Sequence, residues 1–352
     1  MHKWKTAFIM PAGLIGRGQS GFAFSDLFDH FELGDPMTAK VKIATVTLNP
    51  AIDQTIRIDN FVAGGVNRVL GEQSDAGGKG VNVASFLSHF DHKVAVTGLL
   101  GARNPAIFER LFRDRGIVNR FVMAHGSTRI NVKIVDTVRD TVTDVNFPGL
   151  SVNSYDVDGV FAAIDEMCAE GVESFLFAGS LPSGVPAGLY AEMISHLKAM
   201  GKRVVLDTSG LALREAVAVG PDLIKPNLDE FNELTGKQLS EPQEIVRVAR
   251  EVLEGIPLVV VSMGSRGALF VSHDEAIWAR PPKVDVRTTV GAGDAMVAGL
   301  LHCLQLDMGL EDMARLSTAC SVGALTEVGP MLPEDTIIEA IALEVKLEAV
   351  TV

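Results

Sequence analysis

The stretch SFLFAGSLPSGVPAGLYAEMISHLKAMGKRVVLD, residues 174–207, has two short apolar segments with a helical segment between them. The segments SFLFAG (174–179) and KRVVLD (202–207) have the length and the branched or aromatic residues of buried strands. The segment AGLYAEMISHLKAM (187–200) between them favours a helix. Because two strands joined through a helix pair in parallel, the stretch predicts a parallel sheet with helices on its faces.

The same alternation of strands and helices extends on both sides of this stretch. Further strands are predicted at 41–48, 93–100 and 257–262, and further helices at 79–90 and 158–170. We therefore expect an α/β fold, a doubly wound and mostly parallel sheet flanked by helices, in one domain of residues 41–350.

Two stretches, 53–72 and 117–147, break this rhythm because polar and apolar residues alternate in them with a period of two. Such alternation is typical of antiparallel strands with one solvated face. The two stretches predict a small antiparallel sheet, inserted into the domain, that covers one end of the main sheet. A covering sheet of this kind serves an enzyme that must exclude water.

The charge of the chain limits its partners. It has 31 Lys and Arg against 44 Asp and Glu in 352 residues, a formal net charge of -13. Such a surface repels nucleic acid and anionic membranes, so neither is an expected partner. It repels a phosphorylated ligand as well, so a site for one needs its own lysines or arginines.

The cysteines and the apolar runs indicate a cytoplasmic protein. Cys168, Cys303 and Cys320 lie in apolar helical stretches without metal-ligand spacing, which predicts buried free thiols in a reduced compartment. No apolar run approaches the roughly 18 residues needed to cross a bilayer. The beginning of the chain faintly suggests a secretory signal, but Pro11 and Gly13 interrupt its apolar patch.

Residues 1–36 differ in composition from the rest, and we expect a poorly ordered N-terminal extension. They contain Gly16, Gly18 and Gly21 in the pattern GxGxxG of dinucleotide-binding sites. That pattern requires a strand immediately before it and a helix after it, and here Pro11 and Gly13 precede the glycines. A dinucleotide-dependent oxidoreductase is therefore a weak alternative.

The strongest signal for chemistry is TTVGAGDAMVAGLL, residues 288–301. Gly291, Ala292 and Gly293 lead into an apolar helix, so their backbone N–H groups and the helix dipole can bind an anion. Asp294 in the first turn can accept a hydroxyl proton while these N–H groups stabilise a phosphoryl group. A plain glycine turn before a helix is the alternative.

A second signal is DAGGKGVNVASFL, residues 75–87. It is not a P-loop, because Gly80 stands where Ser or Thr would follow Lys79. The glycines Gly77 and Gly78 allow a ligand to approach the backbone, and Lys79 and Asn82 can hydrogen-bond a hydroxylated anion. A turn before a helix would need one of these glycines but not three of them.

In KPNLDEF, residues 225–231, Asn227 and Glu230 lie one helical turn apart. This spacing is close to a capping box, and the sequence alone favours that interpretation. The functional alternative places Glu230 near a hydrated Mg²⁺ and Lys225 near ATP phosphates.

In SMGSRG, residues 262–267, the residues Ser262, Gly264 and Gly267 fit a turn around the phosphates or ribose of a nucleotide. A tight turn between two strands is equally consistent with the pattern, because GALFVS follows at once.

In TRINVK, residues 128–133, Arg129, Asn131 and Lys133 lie on one side of a predicted strand. An arginine and a lysine on one face can hold a phosphate. The alternative is a charged, solvated strand face.

Together these segments resemble the ribokinase-like (PfkB) family of carbohydrate kinases. TVTLNPAID, AGGKGVNVA, AGSLPSG, KPNLDE, SMGSRGAL and TVGAGDAMVAG recur in that family in this order, over about residues 41–330. The resemblance implies a ribokinase-like fold in which the small antiparallel sheet, with segments near 53–72 and 117–147, is a lid over the site.

The resemblance also implies roles for single residues. Asp294 would be the general base, and Gly291, Ala292 and Gly293 its anion hole. The sugar would be held by Asp53, Gly77, Gly78, Lys79 and Asn82. The phosphate already on the substrate would be held by Arg129, Lys133 and Ser180. The nucleotide would be bound by Lys225, Asn227, Ser262, Met263, Gly264, Ser265, Arg266 and Gly267, with Glu230 reaching Mg²⁺ through water.

The implied substrates are ATP with Mg²⁺ and a sugar phosphate. Some members also bind a monovalent cation such as K⁺ or form homodimers through the lid. TLNPAID, TRINVK and VTDVNFPG resemble the members of the family that phosphorylate fructose 1-phosphate at its 6-hydroxyl, since kinases of free sugars would lack the basic residues. Kinases of tagatose 6-phosphate and fructose 6-phosphate share most of these segments and are the alternatives. A sensor that binds a sugar phosphate without turnover is less consistent, since the base and anion hole are both present.

Overall fold

A computed structural model describes residues 40–352 of the chain, except residues 253 and 328. The predicted poorly ordered extension of residues 1–36 and its glycine pattern lie outside the described residues.

The described residues form fourteen strands and ten α-helices. The strands are β1 (Ile43–Thr47), β2 (Ala51–Ile58), β3 (Gly71–Gly77), β4 (Val94–Gly101), β5 (Val118–Ala124), β6 (Arg129–Asp136), β7 (Thr141–Val145), β8 (Ser174–Ala178), β9 (Arg203–Asp207), β10 (Leu223–Ile224), β11 (Leu258–Ser262), β12 (Ala268–Val271), β13 (Ala276–Arg280) and β14 (Lys346–Ala349). The helices are α1 (Lys79–His89), α2 (Ala106–Asp114), α3 (Ser154–Ala169), α4 (Leu189–Ala199), α5 (Gly210–Val217), α6 (Leu228–Thr235), α7 (Pro242–Val252), α8 (Ala292–Gln305), α9 (Leu310–Leu325) and α10 (Asp335–Glu344).

The main sheet has ten strands in the order β14-β13-β12-β11-β10-β9-β8-β1-β4-β5. The strands from β11 to β5 in this order are parallel to their neighbours, whereas β12, β13 and β14 pair antiparallel at the other edge. The expected doubly wound, mostly parallel α/β fold is confirmed, and the five predicted strands form within two residues of their expected bounds.

Two apolar cores cover the two faces of this sheet. Successive strand residues alternate between them, so that Val205 belongs to one core while Val204 and Leu206 belong to the other. Helices α1, α2, α8, α9 and α10 cover the first face, and α3, α4, α5 and α7 cover the second. Strands buried on both faces have nearly continuous apolar sequences, which is why their positions could be predicted from the sequence.

A second, smaller sheet has the order β3-β2-β6-β7. Its outer pairs are antiparallel, as expected, and its central pair, β2 with β6, is parallel. The predicted stretch 117–147 of this sheet was wrong for residues 118–124, which form β5 at the edge of the main sheet. An edge strand has one half-solvated face, so it has the same period-two alternation as the smaller sheet.

The cysteines agree with expectation. Cys168, Cys303 and Cys320 are buried and free. Within the described part of the chain, no helix combines the length and the apolar character needed to cross a membrane.

Candidate active site

Helix α8 begins at the carboxyl edge of the main sheet. Its N-cap, Gly291, has a φ of 85°, a left-handed conformation that favours glycine, and no side chain of the described residues caps the helix. The first hydrogen bond within the helix runs from Ala295 N–H to the Gly291 carbonyl. The N–H groups of Ala292, Gly293 and Asp294 are therefore left to bind an anion.

Asp294 is only 8% exposed at this helix start. Its carboxylate accepts a 2.8 Å hydrogen bond from the side-chain amide of Asn82. The pKa of Asp294 is raised to about 6, mainly by burial and also by the nearby charge of Asp207, whereas Asn82, Lys79 and Lys225 oppose the shift. A carboxylate with this pKa is mostly ionised near neutral pH and can accept a proton.

Helix α1 begins beside α8, and its glycines allow a close approach. Gly78, the N-cap, has a φ of 119°. A Cβ on Gly77 would lie 2.1 Å from the Asp53 carboxylate, and one on Gly80 would lie 2.2 Å from the hydroxyl of Thr47. The three glycines in DAGGKG are therefore all required by packing or backbone conformation, and their number alone does not indicate a ligand.

Asp207, at the end of β9, connects two lysines of the site. It is 1% exposed, and its Oδ1 lies 3.1 Å from the Nζ of Lys79 and 3.5 Å from that of Lys225. Burial lowers the pKa of Lys79, but the carboxylates of Asp207, Asp294 and Glu230 outweigh it and hold the pKa above its usual range. Both ammonium groups are thus held near the start of α8, where Lys225 Nζ lies 3.7 Å from the Cβ position of Gly293.

Asp207 was missed by the sequence analysis. A signal was present, because an ionisable residue at the end of a buried apolar strand must lie at the edge of a parallel sheet where ligands bind. Its Oδ2 is buried and has no hydrogen-bond partner among the described residues.

Asn227 and Glu230 form the capping box that the sequence favoured. Asn227 Oδ1 accepts from the Glu230 N–H at 2.8 Å, and Glu230 Oε2 accepts from the Asn227 N–H at 2.8 Å. One Glu230 oxygen therefore remains outside the cap, and its negative charge acts on Lys79.

One face of the smaller sheet carries the polar side chains predicted to bind the sugar phosphate. Asp53 is paired directly with Asp75 on β3 and with Asn131 on β6. The amide of Asn131 donates a 3.1 Å hydrogen bond to Asp53. Burial raises the pKa of Asp53 above its usual value, although Asn131, Arg129 and Lys133 oppose the shift.

The two predicted phosphate-binding cations lie on this face in different surroundings. Arg129 donates to the backbone carbonyls of Asn49 at 3.1 Å and Pro50 at 3.4 Å. Lys133 lies opposite Asp144 on β7, with its Nζ 3.8 Å from that carboxylate. Arg129 is thus fixed by the backbone, whereas Lys133 is partly neutralised by Asp144.

A cleft of about 750 Å³ is bounded by the turn after β11, the start of α8 and the middle of α9. Predicted residues Ser262, Gly264, Ser265 and Gly267 line it together with Ala292 and Gly293. Its remaining walls were not anticipated; they are Pro281, Pro282, Lys283, Val284, Val286, Thr289, Met296, Thr318, Ser321, Val322 and Leu325. Apolar walls on helices and a loop have no local sequence signature that separates them from core.

Four residues predicted to bind the nucleotide do not line this cleft, namely Lys225, Asn227, Met263 and Arg266. Met263 is buried in the second core, and Arg266 donates to the carbonyl of Ser240 at 2.7 Å. The turn itself joins β11 to β12, and a Cβ on Gly267 would lie 1.9 Å from the carbonyl of Ala279. The side chain of Met263 is therefore enclosed by the core, whereas the Arg266 side chain is exposed and is held at its Nη1 by the Ser240 carbonyl.

The arrangement combines a buried carboxylate, a free helix N-terminus, two lysines and an apolar cleft at one sheet edge. The model of the pfkB family carbohydrate kinases matches residues 46–337 of the chain. The chain belongs to this family. Kinases of the family use ATP with a divalent metal ion, so the chain is an enzyme that transfers a phosphoryl group.

Individual relatives agree with this membership. A 1-phosphofructokinase from Rhodobacter capsulatus is 48% identical over 309 residues, which covers 88% of this chain and 98% of the relative. A 1-phosphofructokinase from Xanthomonas campestris is 43% identical, covering 79% of this chain and 89% of the relative. Neither the sensor nor the oxidoreductase alternative is supported by these similarities.

Solved structures agree as well. Phosphofructokinase-2 from Escherichia coli in complex with potassium has a TM-score of 0.79 and 27% identity, over 86% of this chain and 99% of its own. The same enzyme in a tetrameric inhibited form gives a TM-score of 0.78 at 27% identity, with the same shares covered.

Proposed function

We propose that this kinase transfers the γ-phosphoryl group of ATP to the 6-hydroxyl of fructose 1-phosphate, giving fructose 1,6-bisphosphate and ADP. The observation that carries the chemistry is Asp294, a buried carboxylate at an uncapped helix N-terminus. The 1-phosphofructokinase relatives and the cationic face of the smaller sheet support the choice of substrate.

Asp294 would act as the general base. The sugar hydroxyl oxygen attacks the γ-phosphorus, its proton passes to the Asp294 carboxylate, and the bond to the bridging oxygen breaks to release ADP. The N–H groups of Ala292, Gly293 and Asp294 would stabilise charge on the transferring group, since they already point outward from the helix end.

Lys79 and Lys225 would neutralise phosphate charge, with Asp207 holding both ammonium groups in place. Glu230 would hold a hydrated Mg²⁺, which neutralises charge on the ATP phosphates. The donor set fits a water-mediated contact, because one Glu230 oxygen is free of the cap and Mg²⁺ usually keeps several waters. In the described part of the chain no cluster of three or more His, Cys, Asp or Glu could hold a metal alone.

The sugar would lie between α1 and the smaller sheet. Asp53 and Asn82 would bind its hydroxyls, and the glycines before Lys79 would let it approach the backbone. Arg129 would hold the phosphate already present, assisted by Ser180 and, more weakly, by Lys133.

The adenine base would occupy the apolar cleft beside the turn of residues 262–267. The walls support this placement, because Val284, Met296 and Val322 are apolar and suit the faces of a flat aromatic base.

The smaller sheet would serve as a lid and as a homodimer interface. The face opposite Asp53 carries Ile130 and Val145, which are 39% and 43% exposed, and exposed apolar faces often mark interfaces. The remaining expectations stay predictions, namely a K⁺ requirement, a cytoplasmic location and one kinase domain over residues 41–350.

The alternatives are tagatose 6-phosphate and fructose 6-phosphate as acceptors. A coupled assay of ADP release with each of the three sugar phosphates tests the proposal. We expect kcat/KM for fructose 1-phosphate to exceed the other two by at least roughly tenfold, about 1.4 kcal/mol of discrimination. A higher kcat/KM for either alternative acceptor would refute it.

A further inference from the structure

Asn49 lies where the chain leaves the main sheet for the smaller one, between the end of β1 at Thr47 and the start of β2 at Ala51. Its side-chain amide donates to the hydroxyl of Ser180 at 3.1 Å and to the carbonyl of Leu181 at 3.4 Å. Its backbone carbonyl accepts the 3.1 Å hydrogen bond from Arg129 Nη2. One residue thus contacts two of the three residues that would bind the substrate phosphate, Ser180 and Arg129.

The chain returns to the main sheet beside the same residue. β7 ends at Val145, and Gly149 then passes so close that an added Cβ would lie 2.1 Å from Asn49 Oδ1. The three atoms nearest to that Cβ position all belong to the Asn49 amide group. Gly149 is not among the residues with positive φ, so alanine fits its backbone and its methyl group would press first on the Asn49 amide.

The contacts with Asn49 determine which hydrogen-bond donors of Ser180 and Arg129 remain available. Ser180 accepts from the Asn49 amide, so its own O–H is left to donate to another acceptor. Arg129 uses its Nε and one Nη2 hydrogen on the carbonyls of Pro50 and Asn49, which fixes the plane of the guanidinium. Its remaining donors stay available in a defined orientation, and a phosphate oxygen satisfies such donors well.

We infer that Asn49 is a positioning residue for the subsite that holds the phosphate already on the sugar. The inference rests on the proposed function. Asn49 acts through Ser180 and Arg129 and has no part in proton or phosphoryl transfer. Its loss therefore weakens recognition of a phosphorylated sugar and leaves the nucleotide site as it was.

Asn49→Ala tests this with steady-state kinetics. The expected result is a rise of about tenfold in KM for fructose 1-phosphate, since Ser180 loses the hydrogen bond that orients its hydroxyl, with kcat and the KM for ATP nearly unchanged. The Asn49 backbone carbonyl that holds Arg129 remains in this variant. Gly149→Ala should raise the same KM, because its methyl group displaces the amide. In the double variant the added methyl has nothing to displace, so its KM should equal that of Asn49→Ala alone.

The matched control is Asn232→Ala. Asn232 also bridges backbone groups, with hydrogen bonds of 2.9 and 3.2 Å to Leu239, and it lies away from Ser180 and Arg129. Its variant should lose thermal stability without a change in KM, which separates positioning from a general loss of structure.

An unchanged KM for fructose 1-phosphate in Asn49→Ala overturns the inference. So does a double variant in which the KM increases of Asn49→Ala and Gly149→Ala multiply in full. Gly149→Ala alone decides the matter should Asn49→Ala fail to fold: a normal KM for fructose 1-phosphate in that variant refutes it. A failure of the proposed function looks different, because then the wild type itself does not turn over fructose 1-phosphate, and both conclusions fall.

Discussion

The side-chain amide of Asn82 donates a 2.8 Å hydrogen bond to the carboxylate of Asp294, which joins the first turns of α1 and α8. The same two helices are joined again at their far ends, where His92, just after α1, lies 2.9 Å from His302 on α8. The helix that carries the candidate base and the helix that carries Lys79 are thus fixed to each other at both ends.

The bond to Asn82 gives a pH dependence with a defined sign. It favours the ionised form of Asp294, so Asn82→Ala should raise the pKa of Asp294 above about 6 and move the acid limb of kcat/KM to higher pH. Asp207→Asn removes a neighbouring negative charge and should move the limb to lower pH. Rates measured between pH 5 and 9 check both shifts.

Because a sugar phosphate itself titrates near pH 6, the comparison of the two variants with the wild type is the informative quantity. If Asn82→Ala and Asp207→Asn both shifted the acid limb in the same direction, Asp294 would not be the group that sets it.

The histidine pair predicts how stability depends on pH. Burial lowers the pKa of His92 to about 4 and that of His302 to about 3. Both pKa values lie below the unfolded value of 6.5, so the pair stabilises the fold above pH 6.5 and this contribution is lost as pH falls from 6.5 towards 4.

The loss should approach about 1.4 kcal/mol per histidine and pH unit. Urea unfolding of the wild type and of a His92→Gln, His302→Gln double variant at pH 7 and pH 5 measures it. The wild type should lose more stability than the double variant over this interval, and equal losses would show that the pair is not neutral in the fold.

Arg129→Ala tests the choice of a phosphorylated substrate. Losing one charge-assisted contact of about 1.5–3 kcal/mol corresponds to roughly ten- to a hundredfold in kcat/KM for fructose 1-phosphate. The KM for ATP should change little, and wild-type activity with free fructose should be very low. If free fructose is the better substrate, or if the variant mainly weakens ATP binding, Arg129 does not hold the substrate phosphate.

The sequence was sufficient for the α/β fold because the parallel strands are buried on both faces and are nearly continuous apolar runs. It could not place residues 118–124, since an edge strand of the main sheet and a strand of the smaller sheet have the same alternation. The parallel pairing of β2 with β6 also has no local signal, because it depends on two distant segments meeting.

Within the site, the predictable residues are those in short patterns with their own chemistry, such as Gly291 to Asp294 before an apolar helix. Asn49 was not assigned a role, because its importance arises from a neighbour more than 100 residues away in the chain, whereas Asp207 had a signal at the end of its strand that was overlooked. The walls of the nucleotide cleft could not be predicted, since Met296, Val322 and Leu325 are ordinary apolar helix residues until α8 and α9 meet.

Asp294→Asn tests the central claim most directly. Asparagine keeps the size and can still interact with Asn82, but it cannot accept a proton. The variant should also be more stable than the wild type at pH 8. The pKa of Asp294 is raised in the fold, so the stability contributed by its protonated form is lost as pH rises through about 6. Asparagine does not ionise, so the variant has no such loss.

The measurement is kcat with saturating ATP and fructose 1-phosphate at pH 8, together with the melting temperature and the affinity for ATP. We predict a fall in kcat of roughly 10²–10⁴, with a melting temperature at least equal to that of the wild type and unchanged ATP affinity. A variant that retains more than about a tenth of the wild-type kcat, a loss below about 1.4 kcal/mol, would show that Asp294 is not the general base.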